Sequence, residues 1–334
     1  MFGFYRLSLA LAVVAFHLSG KLPLAGPLAV FGFYTLSGYL ITLTVQRNYL
    51  GRGGRTRFFL NRALRIYPTY WACLAVAVLL VAPSGERSGS LNPALVIPSS
   101  AADWVSNVVI FGLLGSPVRL LPPAWSLNIE LVYYLGLGLF LSRSRAAVAV
   151  WLAASIVVIA HGLIARPFLM LYFSFVYPTI CFAIGAALVF RPLVFAHGPR
   201  AKGLLAAAVS YPAWPAALAM AGVEVEEQVV SKLLLIGSPL FTVIAISILS
   251  RQTASGWMAK LDRWAGDVSY PVFLLHWAVA TFLVVFLLGD EAMSPTLTLV
   301  TSIASIGIAT GIVRAVEVPS QRLRDRIRAG GVGS

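Results

Sequence analysis

The chain is poor in charge, poor in cysteine and free of repeats. Of its 334 residues only 11% are Asp, Glu, Lys or Arg, against 59% hydrophobic. A soluble domain of this length needs a charged surface, and these charges cannot cover one. The two cysteines, Cys73 and Cys181, both lie in apolar runs. That excludes a disulfide framework and offers no metal-ligand spacing, so no metal is expected and both read as small core residues. No self-similar period argues for a solenoid, and no inverted symmetry of the secondary-transporter kind is visible. The formal net charge of +13 comes without a stripe of basic and aromatic residues, so nucleic acid is not an expected partner.

What is present is a series of long apolar blocks. They fall near residues 6–20, 27–46, 66–82, 122–141, 147–164, 168–190, 203–221, 232–250, 267–288 and 296–314, most of them long enough to cross a bilayer as a helix. The expected fold is all-α: a polytopic bundle of about ten transmembrane helices. Almost every Lys and Arg sits at a block end. Counted on alternate sides, 20 fall on one side, with both termini, and five on the other. The positive-inside rule then places the N- and C-termini in the cytoplasm of a multi-pass inner (plasma) membrane protein. One domain is expected over 1–320, followed by a short basic cytoplasmic tail, 321–334, with no appended soluble domain. One outer connection, 83–122, is much longer than the others. Its apolar stretch from Trp104 to Leu114 is too short to span and reads as a re-entrant or interfacial piece.

An ionisable side chain inside a span is costly unless it is paired or wet, so each is a functional candidate. Arg6 and His17 are eleven residues apart; in a helix they share a face and differ by about 16 Å in depth. Arg6 then lies at the cytoplasmic end and His17 past the midplane, where it serves either chemistry or a structural hydrogen bond. Arg62 and Arg65, i and i+3 at the cytoplasmic surface, suit a phosphate-bearing ligand as two forked guanidiniums; plain positive-inside charge is the competing reading. Tyr34 and Ser37-Gly38 lie mid-membrane, where small residues also serve close packing. Trp125-Ser126 is followed one turn later by Glu130, a carboxylate at the depth expected for His17. Tyr270 opens a span that carries His276 further in, near the midplane and at a different depth. Glu317 follows the last block and faces the cytoplasmic arginines.

Arg6 with ten residues before His17, Ser37-Gly38-Tyr39-Leu40, and Arg62-x-x-Arg65-Ile66-Tyr67-Pro68 form the first part of a series. Trp125-Ser126-Leu127-x-x-Glu130 with Tyr133-Tyr134, Ser269-Tyr270-Pro271 leading to His276, and Glu317-x-Pro319 complete it. In order and spacing across nearly the whole chain, this series resembles the acyltransferase family 3 integral membrane proteins. The resemblance implies an O-acyltransferase that takes an acyl group, usually acetyl, from cytosolic acyl-CoA. The acceptor would be a hydroxyl of a saccharide, a lipid-linked glycan or a small hydroxylated metabolite. Acyl-CoA is then a donor substrate, and no permanently bound cofactor is implied. Two departures stand out. Family members often carry an Asp shortly before the helix-two Ser, where this chain reads Val30-Phe31-Gly32-Phe33; some carry a soluble hydrolase-like domain, which is not expected here.

On these expectations Arg62 and Arg65, with Arg6, hold the CoA phosphates. His17 is a general base or transient acyl carrier, and Glu130 orients it. Ser37, Tyr34, Trp125, Ser126, Tyr270, His276 and Glu317 are further candidates. A transporter or flippase for a lipid-linked saccharide or amphiphile, with the same residues lining a path, remains the alternative. A non-catalytic scaffold is the third.

Overall fold

A computed structural model describes residues 1–22, 24–194, 198–221, 227–289 and 293–329, all helix, turn or irregular chain with no strand among them. The last residues of the expected basic tail, 330–334, lie outside the described residues. The helices are α1 (Gly3–Leu18), α2 (Ala25–Asn48), α3 (Gly54–Val81), α4 (Ala101–Val109), α5 (Trp125–Gly136), α6 (Arg145–Ala165) and α7 (Phe168–Tyr172). They continue with α8 (Thr179–Phe190), α9 (Pro199–Ser210), α10 (Trp214–Met220), α11 (Glu227–Leu249), α12 (Gly256–Leu283), α13 (Pro295–Ile312) and α14 (Val318–Ala329).

Among the described residues seven helical stretches are long and apolar enough to cross a membrane, and Gly3–Leu18 and Thr179–Phe190 are shorter apolar helices. The expected block 168–190 is two helices, α7 and α8, parted by an irregular stretch that ends at Pro178. The expected block 203–221 is likewise broken between α9 and α10 at Tyr211–Ala213, where Pro212 and Pro215 each remove a backbone donor. Side chains such as Ile164, Leu79 and Val150 are 88%, 72% and 71% exposed, which is tolerable when the surrounding solvent is hydrocarbon.

The chain divides into two compact units. The first comprises Met1–Phe16, Lys21–Phe58 and Leu131–Gly266. Its packing relies on small residues, as expected where lipid removes the hydrophobic drive between helices. A Cβ at Gly38 on α2 would strike the carbonyl of Phe182 on α8, and one at Gly185 on α8 would strike the carbonyl of Thr35 on α2. The two glycines therefore set how closely these helices approach. The N-terminus of α1 is held by Asp262, whose Oδ1 accepts from the Gly3 and Phe4 backbone N–H groups at 3.0 and 3.1 Å. Tyr5 shares a 2.9 Å hydrogen bond with Thr242.

The second unit comprises His17–Gly20, Phe59–Glu130 and Asp267–Ser334. It contains the long 83–122 connection. Ser100 caps α4, accepting from the Asp103 N–H at 3.1 Å. At the other end of α4, three side chains from one turn of α3 satisfy successive orphan carbonyls. Tyr70 donates to Asn107 O at 2.5 Å, Trp71 to Val108 O at 3.0 Å and Tyr67 to Val109 O at 3.1 Å. The chain reverses through left-handed Ile110 and Gly112 (φ 72° and 90°). The Asn107 side chain then ties the returning arm, donating to Val118 O at 3.1 Å and accepting from Leu120 N–H at 2.9 Å. The tip thus sits beside the middle of the 28-residue α3 rather than beyond its end at Val81. The last carbonyls of α4 are thus satisfied by side chains of α3.

Candidate active site

Two polar clusters in the second unit contain half of the sequence candidates. The first joins His17, in the last turn of α1, to His276 on α12. Nδ1 of His17 lies 2.9 Å from Nε2 of His276, and Nδ1 of His276 lies 2.8 Å from the Phe273 carbonyl oxygen one turn earlier. The ring centroids are 5.1 Å apart with planes 12° from parallel. With the bonded nitrogens only 2.9 Å apart, both must lie nearly on the line between the centroids. The rings therefore meet edge to edge in one plane, with the lone pair aimed along the N–H bond. Trp277 packs on His17 at 5.0 Å between centroids, and His276 is fully buried. The sequence placed these histidines at different depths; a direct hydrogen bond corrects that. The depth of His276 had been counted from a helix start at 267, whereas α12 begins at Gly256.

The second cluster centres on Glu317, which is 4% exposed. A π-helical turn over Val313–Glu317 delivers it. Pro319 has no N–H for the carbonyl four residues back, which favours a widened turn at this place. Glu317 forms an ion pair with Arg65 on α3, accepts from Thr69 at 3.0 Å, and pairs at 2.6 Å with Arg324 on α14. Arg65 also lies 3.5 Å from Asp267 on α12, and Tyr270, one turn further along α12, is within its field. Asn61 anchors α14 by donating to the Arg324 carbonyl at 2.9 Å. Arg62, half-buried, lies near enough to Arg324 for the two cations to repel. Of the paired arginines of the sequence, Arg65 is thus committed to carboxylates.

Arg324, Asn61 and Thr69 are not among the sequence candidates. For Arg324 a signal existed: Glu317, Gln321 and Arg324 fall at i, i+4 and i+7, one stripe of a helix. Trp125 and Ser126 begin α5, with Ser126 donating to Pro123 O at 2.9 Å. Glu130 follows one turn later and is half-buried. Arg6, Tyr34 and Ser37 belong to the first unit. There Arg6 is half-buried with a terminal nitrogen beside Gly266, Tyr34 stacks on Phe182 at 5.1 Å, and Ser37 precedes the close-packed Gly38. No group of three or more potential metal ligands occurs among the described residues.

The chemistry available is that of a hydrogen-bonded imidazole pair and, in the same unit, a charge-compensated arginine cluster. Among known proteins, a family model described as an acyltransferase domain matches residues 4–314. No curated protein and no solved structure is matched.

Proposed function

The chain belongs to the acyltransferase family 3, a membrane acyltransferase family whose members transfer groups other than aminoacyl groups, and on that premise we propose that it moves an acyl group, typically acetyl, from cytosolic acyl-CoA to a hydroxyl of a saccharide or saccharide-containing acceptor. The observation that carries this reading is the His17–His276 pair: an imidazole hydrogen-bonded through Nδ1 is suited to take a proton at its other nitrogen.

The acceptor O–H bond breaks as His17 takes the proton and the oxygen attacks the thioester carbon. The C–S bond then breaks, and the proton passes to the departing CoA thiolate. Acceptor and acyl-CoA become acylated acceptor and CoA-SH, with nothing left over. Arg62 neutralises phosphate charge on the donor. Arg65, held by Glu317 and Asp267, fixes the helix surface on which Arg62 is presented. Glu130 supports the charged state that develops at His17. A covalent acyl-imidazole on His17 is the same chemistry divided into two steps.

The setting proposed is the inner membrane, with about ten helices and both termini cytoplasmic, on the strength of the 20-to-5 division of basic residues. A reporter fused after Ser334 should read as cytoplasmic and one inserted at Gly89 as external; a cytoplasmic signal at Gly89 overturns the topology. Purified protein given radiolabelled acetyl-CoA and a glycan or glycolipid extract should form labelled acceptor and release CoA-SH. Movement of acceptor across a vesicle membrane without acyl transfer would instead identify a transporter.

A further inference from the structure

The hydrogen bonds around the histidine pair determine which nitrogen carries each proton. A carbonyl oxygen only accepts, so Nδ1 of His276, 2.8 Å from Phe273 O, must be an N–H. A neutral imidazole has one N–H, so Nε2 of His276 is a lone pair. The contact at 2.9 Å is then closed by a proton on Nδ1 of His17. That leaves the lone pair of neutral His17 on Nε2. The chain Phe273 C=O, His276, His17 thus runs in one direction.

We infer that His276 is a positioning residue: it selects the Nδ1–H tautomer of His17 and so makes Nε2 the atom that accepts the substrate proton. The inference rests on the reading of His17 as the proton acceptor and adds the residue that orients it. Bases in aqueous clefts are commonly oriented by a carboxylate. In a membrane interior a carboxylate brings a charge that must be desolvated and paired. A second imidazole, itself fixed by a backbone carbonyl, gives the same direction while remaining neutral. It also offers a place for charge in the reaction. When Nε2 of His17 takes the acceptor proton, the Nδ1 proton can shift to Nε2 of His276, spreading one positive charge over two rings. On return, the shared proton moves back to Nδ1 of His17 and the proton on its Nε2 passes to the departing thiolate. Trp277, packed on His17, limits rotation that would exchange the two nitrogens.

The test uses the full-length protein in detergent or nanodiscs, labelled with nitrogen-15 histidine; the chain has four histidines, and His17→Ala and His276→Ala assign the two signals. Imidazole nitrogen chemical shifts in the wild type should show both as Nδ1–H tautomers. His276→Ala should lower acyl transfer by roughly 10²–10⁴-fold, the scale of a displaced general base. His276→Gln, whose side-chain oxygen can accept the same Nδ1–H, should recover about tenfold relative to Ala, the worth of one hydrogen bond. A wild-type His17 protonated at Nε2, or a Gln variant no better than Ala, overturns the inference. If His276→Ala fails to fold, His276→Gln, which keeps an acceptor for the Nδ1–H, assigns the signal in its place. Full transfer by His17→Ala would overturn the functional reading itself. Lost transfer in His17→Ala with full transfer in His276→Ala would overturn the positioning role alone.

Discussion

The histidine pair and the Glu317 cluster face the same problem, polar groups withdrawn from water, and solve it in opposite ways. Around His17 and His276 the solution is a hydrogen-bond chain of groups that can stay neutral: two imidazoles and a carbonyl. Around Glu317 the solution is compensation, with Arg65, Arg324 and a Thr69 hydroxyl gathered on the carboxylates of Glu317 and Asp267. A neutral pair can take up a proton and give it back without rearranging its neighbours. A compensated cluster resists any change of charge and is suited to holding helices and presenting a cation. The difference assigns chemistry to the first and anchoring with donor binding to the second.

The widest separation between the two should come from His17→Ala. Transfer should fall by roughly 10²–10⁴-fold while acyl-CoA affinity and thermal stability stay near wild type, measured by turnover, equilibrium binding and melting. Glu130→Gln should cost less than His17→Ala, and the double variant much less than the product of the two, because groups acting as a unit fail together. Additive losses would separate Glu130 from the centre. At the other cluster Glu317→Ala should act on stability, since removing one partner of a buried pair typically costs about 3–5 kcal/mol. Adding Arg324→Met should recover part of that loss. An unchanged melting curve for Glu317→Ala would mean the cluster is not an anchor.

A smaller effect is expected at Arg62. Arg62→Ala should weaken acyl-CoA binding by about 10- to 150-fold, the equivalent of roughly 1.5–3 kcal/mol for a charge-assisted hydrogen bond to phosphate. Arg62→Lys should rescue only partly, because the forked geometry is lost. Arg65→Ala should lower stability as well as binding, since its carboxylate partners lose their cation. Equal behaviour of the two would erase the distinction drawn between them. The smallest change is Tyr70→Phe, which deletes one donor to the end of α4 and should cost about 0.5–1.5 kcal/mol, read as earlier melting with donor affinity unchanged.

The sequence was informative where a physical rule ties residue type to environment. Apolar runs gave the all-helical membrane fold, the short Trp104–Leu114 stretch gave a non-spanning insert, and charges inside spans marked both clusters. It was uninformative where helices extend past their apolar blocks. Polar starts such as Gly54–Arg65 of α3 and Gly256–Gly266 of α12 carry no hydropathy signal, and depth counted from the wrong start separated His276 from His17. Prolines near 178 and 212 interrupted runs that hydropathy alone treats as continuous. Arg324 was hidden by its neighbours, since in a tail with Arg322, Arg326 and Arg328 one buried arginine looks like the rest. Arg65 shows the converse: its spacing from Arg62 is visible, but its commitment to Glu317, 252 residues away in sequence, is a product of tertiary structure.

The most direct measurement is a paired determination, on the same purified preparations of wild type, His17→Ala and Arg62→Ala, of acyl-CoA affinity and of CoA-SH released per acylated acceptor. The account predicts one CoA-SH per acylated acceptor in wild type, lost transfer with retained affinity in His17→Ala, and weakened affinity with transfer recovered at high donor concentration in Arg62→Ala. Undiminished transfer by His17→Ala would contradict it.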